Sequence, residues 1–518
     1  MKSAVQRLKD LGPEKRSLVL KRLPPVSFSE QRMWFLQSFN PKAAYYNMPA
    51  AVQIQGDLDT ATLEKALNEI VRRHDTLHSN FVLLDQALVK CVSPVEAFSV
   101  PLVDLRQLPE EERYPRARQL ARAESQHPFD LEQDWPVRFA LVRLGNADHV
   151  LLLTMHHIVS DGWSIGVLMQ EFAALYTAYH HGLPSPLSEL SIQYADYARW
   201  QRELLELGKL GEEIQYWTER LKGVVSPLPL PTDRPRPAQQ SFRGAHASAA
   251  LDSLLSNALS ALARRENVTI FMLLLAAFKV LLARYSGQND IVIGTPLAGR
   301  TSVETEKLIG LFVNTLVVRT DLGGNPTFIE VLSRTREASL GAFAHQTIPF
   351  EKLVEVLQPE RDTAYSPLFQ VMFVLQNAAA AKPPELPGLE LSAWDYEMGM
   401  SQFDLMLTAV ERAEGFHLTI EYSTDLFDLT TIQRMLRHFE VLLRGIATNP
   451  ESHIAALALL GDEEEHLLLQ QWQGEEVKYE GAEDLASLFE EQVERRREGI
   501  AVVDEGQRWS YGELNRRA

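Results

Sequence analysis

Val150-Leu151-Leu152-Leu153-Thr154-Met155-His156-His157-Ile158-Val159-Ser160-Asp161-Gly162-Trp163-Ser164 is the most informative stretch of this chain. Its first half is leucine-rich and of strand length. Ile165-Gly166-Val167-Leu168-Met169-Gln170-Glu171-Phe172 follows, with apolar residues at helical spacing. The segment therefore predicts a buried strand, a short loop and a helix. Two adjacent histidines and an Asp-Gly pair lie on the loop. Loops held by a rigid strand often carry reacting groups. Successive residues leaving a strand face opposite ways. One histidine is thus expected to face a substrate, and the other to be packed and hydrogen-bonded behind it. Gly162 permits a positive φ and close approach of a ligand to the backbone. A lone histidine on an apolar strand is usually a satisfied core residue, a reading that fits this His-His-x-x-x-Asp-Gly array less well. Zinc is the other option for such histidines. The chain has one cysteine and no second cluster at metal-ligand spacing, so no metal site is expected.

The bulk properties bound the function. At 518 residues the chain is expected to hold about two to four units. Apolar and charged contents of 45% and 23% are those of a globular protein. A net charge of −18 argues against nucleic acid and against an anionic membrane surface as partners. Cys91 allows no internal disulfide, which suits the cytoplasm, and no nucleophile motif surrounds it. Residues 1–23 are too charged for a secretory signal. Thr269 to Leu282 is the most apolar run, but it carries Lys279 and is short for a membrane span. It predicts a buried helix.

Working outward, Leu63, Ala66, Leu67, Ile70 and Val71 fall on one helical face. Residues 139–144 and 149–155 read as two strands joined by Asn146-Ala147-Asp148. Pro227 to Pro237 reads as the linker between two lobes. Other strings recur in a recognisable order. They are Ser27-Phe28-Ser29-Glu30-Gln31-Arg32-Met33-Trp34, with Ser27 or Ser29 as helix cap; Arg72-Arg73-His74-Asp75-Thr76-Leu77-His78-Ser79; and Tyr194-Ala195-Asp196-Tyr197, read as structural. Ile309-Gly310-Leu311-Phe312-Val313-Asn314, His345-Gln346-Thr347-Ile348-Pro349-Phe350-Glu351 and Arg361-Asp362-Thr363-Ala364-Tyr365-Ser366-Pro367 complete the set. Arg73 and His74 read equally well as a helix end favoured by the dipole.

Together with the central array, these strings resemble the seven ordered motifs of condensation domains in nonribosomal peptide synthetases, relatives of chloramphenicol acetyltransferase. The resemblance covers roughly residues 27–454. Two departures stand out. His78-Ser79 replaces Arg-Thr, which bears on the donor side of the cavity, and Ser366 replaces an Asn. Residues 485–492 and 509–515 resemble the opening of an adenylation domain. The tail carries no glycine-rich phosphate loop and so is expected not to activate an amino acid. The chain is expected to be a piece of a larger synthetase.

The resemblance implies an α/β (α+β) fold: a pseudo-dimer of two chloramphenicol acetyltransferase-like lobes in a V. The expected divisions are a helical lead at 1–25, lobes at 26–190 and 191–460, a linker at 461–480 and a truncated adenylation domain at 481–518. The implied reaction is attack of a carrier-bound aminoacyl α-amine on a donor acyl thioester. No permanently bound cofactor is implied; phosphopantetheine arms of donor and acceptor carrier proteins, or CoA, bring the substrates. A neighbouring adenylation domain is the other implied partner. His157 matches the family's second histidine. It is expected to act as general base or to position the amine; positioning is favoured, because an α-amine of pKa about 8 is already partly neutral. His156 is expected to hold the loop through a backbone hydrogen bond. Asp161 is expected to pair with an arginine of the second lobe, with Arg300 as candidate. Gly162 is expected to leave room for the acceptor arm. A chain opening at Met1, a short helix before the first motif, would be a starter type taking acyl-CoA; elongation from a carrier-bound donor is equally open. A non-catalytic platform that recruits partner enzymes is the alternative, though such relatives usually lose the second histidine.

Overall fold

The computed structural model describes residues 4–20, 22–359, 362–376, 385–394, 399–473 and 484–518. Arg361 of the last motif and residues 474–483, which include part of the expected linker, lie outside the described residues. The chain divides into two units, Met1–Leu459 and Leu460–Ala518.

The first unit is built on two sheets. Its strands are β1 (Asn47–Gly56), β2 (Ser79–Leu84), β3 (Ala87–Val92), β4 (Leu102–Asp104), β5 (Val137–Arg143), β6 (Asp148–His156), β7 (Gly244–Ala250), β8 (Asp290–Leu297), β9 (Asn314–Asp321), β10 (Val371–Gln376), β11 (Leu389–Ala393), β12 (Leu405–Arg412) and β13 (Gly415–Ser423). One sheet has the order β11-β1-β6-β5-β4 and the other β7-β13-β12-β10-β8-β9, with β2 and β3 as a separate hairpin. This mixed α/β arrangement agrees with the expected fold class.

β6 explains its own sequence. It lies between β1 and β5, antiparallel to both, and every residue from His149 to His156 is buried. Leu151, Leu153 and Met155 enter the main core of this half; Val150 and Leu152 enter a second core against Ala117 and Ala121 of the helix Glu110–Ser125. A strand covered on both faces carries no polar alternation. The main core also takes the expected face of the helix Thr60–Arg73, and Leu168, Phe172 and Leu175 of the helix Gly162–His180.

The apolar run at 269–282 forms the helix Ile270–Ser286, capped by Thr269 and buried from Met272 to Ala283. Lys279 is buried with it. Its Nζ donates to the Val318 carbonyl at 2.8 Å and to Thr320 Oγ1 at 2.6 Å, and burial pushes its pKa well down. Among the described residues no single helix is long and apolar enough to cross a membrane.

Two of the expected divisions do not coincide with breaks between the hydrophobic cores. Residue 190 does not bound the first core, because Tyr194, Leu308, Ile309, Leu311, Phe312, Leu389 and Leu391 are part of it. β11 extends the first sheet from the far end of the chain. Nor is 227–237 the crossing between halves. Helix Tyr194–Glu206 packs on the first core, whereas Trp217 of helix Gly211–Arg220 lies in the second. The proline-rich segment is already seated on the second half, with Leu228 and Leu230 buried and Arg236 paired to Asp404.

In the second unit, the acidic run forms the helix Asp462–His466. The helix Leu485–Arg495, a hairpin of Ile500–Asp504 with Gln507–Ser510, and the helix Tyr511–Arg517 follow.

Candidate active site

The two histidines leave β6 into a 3₁₀ turn, His157–Val159. Their environments differ completely. His156 is fully buried. Its Nδ1 accepts from the Ile158 amide at 3.0 Å, and its Nε2 faces Gln37 Oε1 at 3.3 Å. An amide N–H is only a donor, so Nδ1 holds the lone pair and Nε2 the proton. Burial, reinforced by His157 and Arg138, pushes the His156 pKa down to about 3. His156 is therefore neutral and cannot exchange protons near neutral pH.

His157 is half-buried. Its Nδ1 lies 2.7 Å from the Ser160 carbonyl, which only accepts, so Nδ1 carries the proton. In the neutral ring the Nε2 lone pair is then left for a ligand, and no described residue engages it. The His157 amide donates to the Tyr46 carbonyl at 2.7 Å. The two neighbours thus hold opposite tautomers, each fixed by a backbone group within three residues.

Asp161 caps the helix Gly162–His180. Its Oδ1 accepts from the Ser164 amide at 2.8 Å, from Ser164 Oγ at 2.7 Å and from Arg300 Nη2 at 3.2 Å. Its Oδ2 accepts from the amides of Phe312 and Val313 at 3.0 and 3.2 Å. The carboxylate is 3% exposed and has no acceptor capacity left for a substrate. Arg300 also donates to the carbonyls of Thr305 and Leu308 and to Ser164 Oγ, and lies 4.1 Å from the Phe312 ring centroid. The structure thus brings Asp161 and Arg300 together, and adds Ser164 as a third member. The sequence signal for Ser164 is its place three residues after a capping Asp. Gly299 sets Arg300: φ is +66°, and a Cβ there would lie 2.0 Å from the Phe312 carbonyl oxygen.

Gly162 is corrected in one respect. It opens the helix and does not use a left-handed φ. An added Cβ there would meet no atom within 4 Å.

The other motifs build the frame. Ser27, not Ser29, caps the helix Phe28–Phe39 in a capping box with Glu30. Ser27 Oγ lies 2.9 Å from Tyr194 Oη, which donates to the Leu311 carbonyl at 2.7 Å. Glu30 forms a fully buried pair with Lys90 at 2.9 Å, a contact that spacing along the chain offers no means of finding. Arg73 and His74 do more than end a helix: both bind buried Glu171, and His74 Nδ1 accepts from the Ile309 amide at 3.3 Å. His78 and Ser79 are both buried, with His78 Nδ1 on the Ser93 carbonyl at 2.6 Å. That departure from the family pattern lies inside the hairpin packing. Ser366 contributes its carbonyl, which accepts from Gln370 at 2.9 Å. Among the described residues no group of His, Cys, Asp and Glu is arranged to hold a metal ion.

The Condensation domain family profile matches residues 22–469. The chain belongs to that family, whose synthetase members are amide-forming acyltransferases. It is 44% identical over 515 residues, 99% of its length, to a linear gramicidin synthase chain of Brevibacillus parabrevis, and spans about a tenth of that protein. The X-domain from teicoplanin biosynthesis superposes with a TM-score of 0.78 at 30% identity, covering 85% of this chain and 98% of that one. A four-domain nonribosomal peptide synthetase bound to AMP and glycine gives a TM-score of 0.78 at 24% identity, covering 95% of this chain and 38% of that one.

Proposed function

We propose that this chain joins a donor acyl thioester to the α-amine of an aminoacyl group on a downstream carrier protein, releasing a thiol. The observation that carries the reading is the pair of opposite tautomers. His157 is held by Nδ1–H on the Ser160 carbonyl, which directs an unshared Nε2 lone pair to a ligand. Nε2 accepts a hydrogen from the amine and aims the nitrogen lone pair at the donor carbonyl. The proton moves to Nε2 as the C–N bond forms, and leaves with the thiolate when the tetrahedral intermediate collapses. Because an α-amine of pKa about 8 is partly neutral at pH 7, orientation contributes more than basicity. His156 and Asp161 hold the loop and the helix, and take no proton.

No cofactor is resident in this reading. Phosphopantetheine arms or CoA present the substrates, and carrier domains are the partners. Residues 481–518 are read as the opening of an adenylation domain after a linker at 461–480, and residues 26–190 and 191–460 as the two nominal lobes, with interleaved cores. A cytoplasmic setting is consistent with a single buried cysteine.

The test is intact-protein mass spectrometry with an aminoacyl-loaded carrier and either acyl-CoA or an aminoacyl-loaded upstream carrier, wild type beside His157→Ala. Amide formed from acyl-CoA establishes a starter domain; amide formed only from the carrier-bound donor establishes elongation. A platform reading is favoured by one observation, the likeness to the teicoplanin X-domain, which has also been solved in complex with OxyB. No product from any donor, with protein folded and carriers loaded, would favour that reading.

A further inference from the structure

Gln37 lies near the C-terminal end of the helix Phe28–Phe39, outside the quoted motif, and is 5% exposed. Its amide orientation is determined by its surroundings. Nε2 reaches two carbonyls, Ala43 at 3.1 Å and Pro41 at 3.4 Å. Carbonyls only accept, so the NH₂ group must face them and Oε1 must face His156. The His156 ring is fixed from the other side by the Ile158 amide. Its buried Nε2–H then has one described acceptor, Gln37 Oε1.

We infer that Gln37 is a positioning residue for the reaction: its carbonyl holds His156 in the Nε2–H form, and through His156 fixes the turn that presents His157. A second observation supports this. The His157 amide is anchored on the Tyr46 carbonyl, and Tyr46 follows the loop segment that the Gln37 NH₂ group holds at Pro41 and Ala43. One side chain therefore braces both attachments of the turn, at Ile158 through His156 and at His157 through the 41–46 loop. The groups around His156 are Arg138 on β5, His157 on the turn, the Tyr46 ring at 6.3 Å and the Phe129 ring at 5.9 Å. None of them offers its Nε2–H an alternative oxygen acceptor in the structure. Losing Gln37 Oε1 leaves a buried donor unmade; charging His156 sets its Nδ1–H against the Ile158 N–H. Either change releases the turn.

The kinetic arm rests on His157 as the reacting group; the spectroscopic arm does not. The full chain, labelled with ¹⁵N-histidine, is compared as wild type, Gln37→Met and Gln37→Glu, with His156 and His157 assigned by substitution. In the wild type, His156 is expected as the Nε2–H tautomer and His157 as the Nδ1–H tautomer, with His156 not titrating between about pH 5 and pH 8. Gln37→Met is expected to lose the single His156 signal and to lower kcat about tenfold, with KM for the loaded carrier unchanged. Gln37→Glu keeps an acceptor. Protonated, it also donates to the Ala43 and Pro41 carbonyls; ionised, it sets an oxygen against them, so relative to the wild type it is expected to restore the tautomer and most of kcat at acid pH and to add an alkaline limb. An unchanged His156 signal and kcat in Gln37→Met would overturn the inference. So would equal kcat losses in both variants in step with their thermal midpoints, which marks plain structural damage. If the wild type makes no amide, the proposed reaction fails, and the His156 signal in Gln37→Met still decides whether Gln37 sets the tautomer.

Discussion

Two adjacent histidines hold different tautomers because of what their Nδ1 atoms meet. An amide donor makes one an acceptor at Nδ1; a carbonyl makes the other a donor. His157→Ala should lower the condensation rate by roughly 10²–10⁴ if proton transfer contributes, and near the low end if orientation dominates. The thermal midpoint should barely move, because the ring is only half-buried and its one described side-chain hydrogen bond is to the Ser160 carbonyl. Gly162→Val has empty space around its Cβ, so folding should be unaffected. Turnover of the carrier-bound acceptor should fall roughly 100-fold, the scale of a misplaced reactant, measured with the same carriers as the wild type. Glu421 on β13 gives a pH signature. Burial pushes its carboxyl from 4.5 up to about 7, against weaker hydrogen bonds from Ser401 and Gln402. A raised carboxyl pKa means that the folded state binds the proton more tightly. Stability is therefore present below pH 4.5 and lost as pH rises towards 7, by roughly 2–3 kcal/mol. Glu421→Gln should raise the thermal midpoint at alkaline pH and leave it nearly unchanged at acid pH.

At the scale of elements, the helix Gly162–His180 starts where it does because Asp161 caps it, and the same carboxylate ties that start to residues 300–313. One oxygen meets the cap and the guanidinium; the other meets two amides of the Ile309–Asn314 segment. Asp161→Asn cannot satisfy all these donors, since its NH₂ group must oppose some of them. Removing one side of a buried pair costs about 3–5 kcal/mol. Urea denaturation should show that loss, with activity failing through unfolding before chemistry. Ser164→Ala leaves partners at Gly310 and Arg300 unmet and should cost about 1–3 kcal/mol by the same measurement.

At the scale of the molecule, the first half cannot close its core alone. Tyr194, Leu308 to Phe312, Leu389 and Leu391 fill it from later in the chain, and β11 covers the free edge of β1. A fragment ending at residue 190 should therefore retain secondary structure without fixed packing. Near-UV circular dichroism and dye binding would read this as lost aromatic signal and exposed apolar surface. A cooperative transition in that fragment would contradict the interleaved core.

Order along the chain is enough to place the local elements and to point to the site. β6, its turn and its helix follow from hydrophobic period and capping chemistry, which are local. His156, His157, Asp161 and Gly162 stand within seven consecutive residues, so their grouping needs no fold to reveal it. The choice of Arg300 follows from the family resemblance and a Gly-Arg turn. Which nitrogen each histidine offers is set within three residues, by the Ile158 amide and the Ser160 carbonyl; packing adds the long-range braces, Gln37 on the His156 ring and the Tyr46 carbonyl on the His157 amide, more than a hundred residues away. Packing also sets Glu30 against Lys90, gathers Arg73 and His74 on Glu171, and removes the division expected at 190 as a boundary between cores. Those facts rest on long-range contacts and desolvation. A buried polar atom takes whatever partner the fold delivers, and spacing along the chain does not encode that partner.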